Sequence, residues 1–101
     1  MRAASLTALN KIELLEVPVP EIQEATDVQV RVKAVGICGT DLHMFREHRA
    51  DVTLPRIMGH ELSGIVTKVG PEVTRVKVGD RVVLDPVFAC GTCPTCKKGY
   101  P

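Results

Sequence analysis

Residues 27–43 read DVQVRVKAVGICGTDLH, and this stretch decides the fold because it opens with a clear β-strand pattern. Apolar side chains occupy every second position, a period of two that is typical of a half-buried strand. We therefore predict a strand over Val28–Val35. Its apolar face is predicted to consist of Val28, Val30, Val32 and Ala34.

Three potential metal ligands lie at the ends of two apolar runs. Cys38 follows the first run, and His60 and Glu61 come just before the second. If the two strand ends meet at one rim of a barrel, a sulfur, a nitrogen and an oxygen converge in a way that suits zinc. The alternatives are a cysteine that only fills core and an ordinary polar histidine at a strand start. The sequence lacks the second histidine that a metalloprotease helix would need.

Length and composition limit the functions open to the chain. Its 101 residues are enough for one domain, and 13 basic against 12 acidic residues leave the charge close to neutral. Without a basic run, and with only three aromatic residues, nucleic-acid binding is not expected. Neither a signal peptide nor an apolar run of membrane-spanning length occurs in the sequence. We therefore expect a cytoplasmic protein with no membrane partner.

Shorter patterns complete the predicted fold. A short helix is predicted over Thr40–Glu47, because Thr40 or Asp41 can cap its first amides, and a solvent-facing loop is predicted over 46–55. Short strands punctuated by turns indicate a mainly β fold, namely a small, partly open β-barrel with one or two short helices. The further predicted strands are Ala3–Leu9, Ile12–Val17, Leu62–Val69, Val73–Lys77 and Arg81–Leu84.

Residues 90–96 read CGTCPTC and form a second cluster, with a cysteine at every third position. Glycine and proline between the cysteines allow the loop to curl, so that the thiolates of Cys90, Cys93 and Cys96 converge as in a thiolate zinc site. A disulfide or redox pair is the competing interpretation, which a reducing compartment disfavours. A structural zinc ion takes four ligands, and this loop supplies three.

Four motifs together carry a resemblance to a known family. They are residues 36–43 (GICGTDLH), residues 59–64 (GHELSG), residues 78–82 (VGDRV) and the cysteines of residues 90–96. In this order and spacing the chain resembles the zinc-containing medium-chain alcohol and polyol dehydrogenases. The resemblance implies that residues 1–101 form the GroES-like N-terminal part of a catalytic domain. That part is expected to be incomplete at its C-terminus and to lack the Rossmann domain that binds NAD(P).

The resemblance also implies the metal ligands. Cys38 and His60 would bind the catalytic zinc, with Glu61 either a direct ligand or placed behind the metal. A structural zinc would be bound by Cys90, Cys93 and Cys96. The fourth cysteine of that site normally lies eight residues after the third, beyond Pro101. Both zinc sites are therefore expected to be incomplete and to hold little or no metal.

A proton relay is implied as well. By the resemblance, Thr40 would accept the proton of the substrate hydroxyl and His43 would be the terminus of the relay. Asp41 would hydrogen-bond His60 and fix its tautomer, the usual role of a residue behind a metal ligand. The zinc would lower the pKa of the bound alcohol, so that the alkoxide can release hydride to the nicotinamide.

The resemblance thus predicts part of a dehydrogenase that oxidises a secondary alcohol, polyol or sugar-derived hydroxyl to a carbonyl. The 101-residue chain holds no Gly-x-Gly-x-x-Gly motif, so no cofactor-binding residue is assigned and the chain alone is predicted to be inactive. The parent enzyme is expected to be a homo-oligomer acting on a small molecule. The alternative is a stand-alone GroES-like or zinc-binding interaction module without catalysis. A GroES-like chaperone would have no role for Cys38, His60 and the cysteine loop, and a zinc-ribbon module would need two separated Cys-x-x-Cys pairs and a basic face.

Overall fold

A computed structural model describes residues 1–100 of the chain as six strands and two short helices. The strands form two three-stranded antiparallel sheets, in the orders β2-β1-β4 and β3-β5-β6. The mainly β, partly open architecture with short helices confirms the predicted fold class. The elements are β1 (Arg2–Ala8), β2 (Lys11–Glu16), β3 (Val28–Gly36), α1 (Gly39–Arg46), β4 (Arg56–Ile57), β5 (Glu61–Val69), β6 (Arg81–Val83) and α2 (Pro94–Lys97).

The first sheet is built on the hairpin of β1 and β2. Its turn contains Asn10, whose φ of 59° lies in the left-handed region that asparagine tolerates better than most residues. The Asn10 amide donates to the Phe45 carbonyl at 2.8 Å, which ties the hairpin turn to the end of α1. Leu6 of β1 is completely buried and forms the centre of the core on this side.

The second sheet depends on the pairing of β3 with β5, which runs from Val28 opposite Val69 to Gly36 opposite Glu61. A Cβ atom on Gly64 would collide with the Arg31 carbonyl oxygen, so the glycine allows β5 to approach β3 closely. Two residues further along β5 is Val66, which is 1% exposed.

Two sequence predictions are wrong in this region. The β3–β5 register shifts twice. The first shift skips Thr67 of β5, between the partners of Gln29 and Val30, and the second skips Lys33 of β3, so the alternation of β3 is interrupted once. Residues that face each other across a sheet share a face, and Val32 and Ala34 face adjacent residues of β5. The four predicted apolar residues of β3 therefore do not share one face.

The predicted strand Val73–Lys77 is also absent from the described part of the chain. Its backbone groups are used in turns: the Val73 amide donates to the Gly70 carbonyl, and the Lys77 amide donates to the Asp80 carboxylate at 3.0 Å. Conversely, the sequence patterns did not predict β4 and α2. Both are too short, at two and four residues, for a periodic signal.

Many large apolar side chains stay exposed. The exposed fractions are 93% for Phe88, 89% for Ile37 and 80% for Val83. The buried apolar residues among residues 1–100 are Ala3, Leu6 and Val66. The two sheets therefore enclose a small core and leave open edges.

The glycine contact between β3 and β5 makes a stability prediction. Replacement Gly64→Ala should lower the free energy of unfolding by about 1–3 kcal/mol, because the new methyl group collides with the Arg31 backbone. Urea denaturation followed by circular dichroism would measure the loss. The matched control is Gly39→Ala, where a Cβ atom meets nothing within 4 Å. Equal urea midpoints for the two variants would contradict the prediction.

Candidate metal centres

The first candidate centre joins the end of β3 to the start of β5. Cys38 lies two residues after β3 and precedes α1, while His60 and Glu61 lie where β5 begins. Their ligand atoms all lie within 4.8 Å of one another. The antiparallel pairing of β3 and β5 causes this convergence, since it places the last residue of β3 opposite Glu61.

The donor set suits a zinc ion. A thiolate, an imidazole and a carboxylate are the three side-chain groups that bind zinc, and three protein ligands leave one position open, as catalytic zinc sites require. Cys38 and His60 are half-buried and Glu61 is exposed. The site is therefore reachable from solvent on the carboxylate side.

Asp41 connects the two inner ligands. One oxygen of its carboxylate, Oδ2, accepts from the Cys38 amide at 3.0 Å and so fixes the backbone of the first ligand at the start of α1. The other oxygen, Oδ1, is buried, has no hydrogen-bond partner among residues 1–100, and lies 3.6 Å from His60 Nδ1. That distance is longer than a hydrogen bond, so the two groups are in ionic contact only when the imidazole is protonated.

Thr40 lies on the other side of the same imidazole. Its hydroxyl is 3.3 Å from His60 Nε2, so Thr40 and Asp41 face different ring nitrogens. His43 is exposed and lies three residues after Thr40 on α1, a spacing that puts both residues on one side of the helix. Within residues 1–100, no hydrogen bond joins Thr40 to His43.

The second candidate centre is the loop of Cys90, Cys93 and Cys96. Their sulfur atoms lie within 4.8 Å of one another, and the Cys90 and Cys96 sulfurs are 3.8 Å apart. Backbone amides point at the sulfurs: Cys93 N donates to Cys90 Sγ at 3.3 Å, and Cys96 N donates to Cys93 Sγ at 3.4 Å. All three cysteines are free thiols.

The loop favours a thiolate at Cys90. Hydrogen bonds from the backbone and then the side chain of Thr92, followed by those of Cys93, lower the pKa of the Cys90 thiol to about 6. The Thr92 hydroxyl lies 3.6 Å from that sulfur. Sequence reasoning did not single out Thr92, although a hydroxyl residue between two cysteines is the signal that could have identified it.

The lowered pKa predicts how Cys90 reacts. Since the donors stabilise the charged form, the alkylation rate of Cys90 by iodoacetamide should rise through pH 6 in chelator-treated protein. Thr92→Val removes the hydroxyl but keeps the amide, so the midpoint should move to higher pH. Fragment-ion mass spectrometry would assign the label to Cys90. An unchanged midpoint in Thr92→Val would contradict the role of the hydroxyl.

Asp41 allows a second test of the first centre. Asp41→Asn keeps an oxygen for the Cys38 amide, whereas Asp41→Ala removes it and should cost about 1 kcal/mol of unfolding free energy. Both variants remove the charge next to His60, so both should weaken Co²⁺ binding by about 10- to 100-fold. Cobalt titrations and urea denaturation would separate the two effects. Unaltered cobalt affinity in both variants would show that Asp41 acts on the fold alone.

Comparison with protein families finds one match to the chain. Residues 24–101 match the alcohol dehydrogenase GroES-like domain. None of the helices in residues 1–100 is long and apolar enough to cross a membrane.

Individual proteins are similar over nearly the whole chain. A probable D-xylulose reductase A from Arthroderma otae is 42% identical over 93% of this chain, and sorbitol dehydrogenase from Bacillus subtilis is 42% identical over 98%. The crystal structure of galactitol-1-phosphate dehydrogenase from Escherichia coli superposes with a TM-score of 0.90 at 33% identity over 97% of this chain. The chain spans 27%, 29% and 28% of these three proteins, respectively.

Proposed function

Because the chain belongs to the alcohol dehydrogenase GroES-like domain family, we propose that it forms part of a zinc-dependent oxidoreductase. The reaction is the oxidation of a secondary alcohol, polyol or sugar-derived hydroxyl to a carbonyl, with NAD(P) as the hydride acceptor. The observation that carries this proposal is the convergence of Cys38, His60 and Glu61 at one end of the β3–β5 pair.

The names of the similar proteins support the substrate class. D-xylulose reductase, sorbitol dehydrogenase and galactitol-1-phosphate dehydrogenase are all named for polyols or sugar-derived compounds. We therefore favour a polyol over a simple primary alcohol as the substrate. The size and charge of the polyol depend on the side chains that complete the pocket.

The proposed catalytic metal set is Cys38, His60 and Glu61, whose donor types fit zinc. The chemistry that a bound zinc ion supplies is Lewis-acid activation of a hydroxyl group. The protein's own part is to place donors and to move a proton. Asp41 holds the Cys38 backbone and faces the His60 ring, so it orients two of the three ligands at once.

Thr40 is proposed as the group that takes the substrate proton. Its hydroxyl is already next to His60, 3.3 Å from Nε2, which places it beside the proposed ligand set. His43 is the next titratable residue along that side of α1 and is exposed, so it can pass the proton to solvent. Because no hydrogen bond joins Thr40 to His43 within residues 1–100, the proposed route includes a bridging group between the hydroxyl and the imidazole.

The loop of Cys90, Cys93 and Cys96 is proposed as a structural metal site. Its three converging sulfurs, two of them accepting hydrogen bonds from backbone amides, fit a thiolate set for zinc. This loop lies outside both sheets, so its proposed role is to fix the segment after β6. The fourth ligand is assigned to a residue outside this chain.

We assign the nicotinamide to residues outside the 101-residue chain, because the sequence contains no dinucleotide fingerprint. The chain also spans only 27–29% of the related reductase and dehydrogenase. A small-molecule substrate, a homo-oligomeric assembly and a cytoplasmic location complete the proposal. The four free thiols support a reducing compartment.

The activity is tested on the protein expressed from its complete reading frame. Sorbitol, xylitol and butanediol would be assayed with NAD and NADP, with zinc measured by mass spectrometry. Thr40→Val should lower kcat by about 100-fold or more, because it removes the proton-accepting hydroxyl, and should leave the zinc content unchanged. The control is Thr26→Val, which changes an exposed threonine before β3.

The outcomes separate the parts of the proposal. Full activity in Thr40→Val would overturn the role of the hydroxyl but not the reaction. If the unmodified protein had neither bound zinc nor nicotinamide-dependent turnover, the proposal that it is a zinc-dependent oxidoreductase would be wrong. A binding module without catalysis would then replace it.

A further inference from the structure

Gly36 is the last residue of β3 and lies directly opposite Glu61 in the sheet. A Cβ atom built on Gly36 would have Glu61 Oε2 at 3.2 Å, Glu61 Cβ at 3.6 Å and the Glu61 carbonyl oxygen at 3.6 Å. The three nearest atoms all belong to Glu61. The space that a side chain at position 36 would take is therefore already used by the glutamate.

The backbone gives no other reason for a glycine at this position. The glycines with positive φ in the described chain are Gly59, Gly79, Gly91 and Gly99, and Gly36 is not among them. An alanine could adopt the backbone conformation of Gly36 without strain. What the glycine supplies at position 36 is space.

We propose that Gly36 is a positioning residue for Glu61. The missing side chain gives the Glu61 carboxylate the room to face Cys38 and His60, so that the oxygen ligand joins the sulfur and the nitrogen. This inference rests on the metal set assigned under the proposed function. It adds a residue that binds nothing itself but decides whether the third ligand is in place.

The size of the expected movement supports this assignment. The distance of 3.2 Å from the added Cβ atom to Glu61 Oε2 is tighter than most Cβ contacts, so a methyl group at position 36 displaces the carboxylate by a few tenths of an ångström. Protein metal sites keep their ligand distances to within about 0.2 Å. Since Glu61 is exposed, its carboxylate can swing into solvent, so metal binding should suffer more than folding.

The test uses Co²⁺ and a chain in which Cys90, Cys93 and Cys96 are serines, so that thiolate-to-cobalt charge transfer reports Cys38 alone. Gly36→Ala should weaken Co²⁺ binding by about tenfold and change the visible cobalt bands. Gly39→Ala is the matched control, because it adds a methyl group three residues away into open space. It should bind cobalt as the background chain does. A second measurement uses the chain with all four cysteines, in which bound Co²⁺ should protect Cys38 from alkylation by iodoacetamide. It gives the same comparison without the serine substitutions.

A double-variant cycle shows whether the effect passes through the glutamate. In a Glu61→Ala background there is no carboxylate to displace, so adding Gly36→Ala should weaken cobalt binding no further. An equal loss in both backgrounds, or no loss in either, would overturn the role of Gly36 while leaving the metal set standing. Because the site in this chain is expected to bind metal weakly, Co²⁺ is added to a concentration that fills a weak site. If the chain with native Gly36 and Glu61 then shows neither cobalt-thiolate charge transfer nor protection of Cys38, the proposed metal set fails and this inference fails with it. Urea denaturation of the metal-free variants should show similar midpoints for Gly36→Ala and Gly39→Ala.

Discussion

The antiparallel pairing of β3 with β5 is the constraint on which the site depends. Its register decides which residues come together, because Gly36 opposite Glu61 brings Cys38 near His60. Gly64 fixes that register, since no Cβ atom fits against the Arg31 carbonyl. A slip of one residue would put the side chain of Ser63 or Ile65 against the Arg31 backbone and is therefore disfavoured. Close packing of two backbones therefore selects the ligands.

His60 is held from the first sheet as well as from the second. The segment between β4 and β5 is anchored where the Met58 amide donates to the Ala4 carbonyl at 3.0 Å, and β4 pairs with β1. Gly59 follows, with a φ of 104° that few other residues adopt, and turns the chain towards β5. The histidine therefore sits at the junction of the two sheets, so the site depends on both.

The sequence predicted the parts of this arrangement that have a regular signal. A period of two predicted β3, and short runs bounded by turn residues predicted the hairpin and β5. The position of the donor residues at the ends of apolar runs predicted which side chains the sheet brings together. It could not predict the two register shifts between β3 and β5, because they arise from the pairing of the strands and leave no mark on the pattern of apolar residues in the sequence. Nor could it reveal the contact of Gly36 with Glu61. That contact depends on a distance of tenths of an ångström between residues far apart in the chain.

The two candidate centres differ in what they demand of the fold. Cys90, Cys93 and Cys96 lie within one short loop, and the backbone amides of Cys93 and Cys96 donate to sulfurs of that loop. Few residues therefore have to be ordered to bring the three sulfurs together. Cys38 and His60 meet only after β3 and β5 have paired, so any ion bound between them adds its binding free energy to that pairing. In a chain with few buried apolar side chains, this coupling matters for the fold as well as for chemistry. Metal binding and sheet formation therefore stabilise each other at the centre of Cys38 and His60, whose residues are the further apart in the sequence, and not at the cysteine loop.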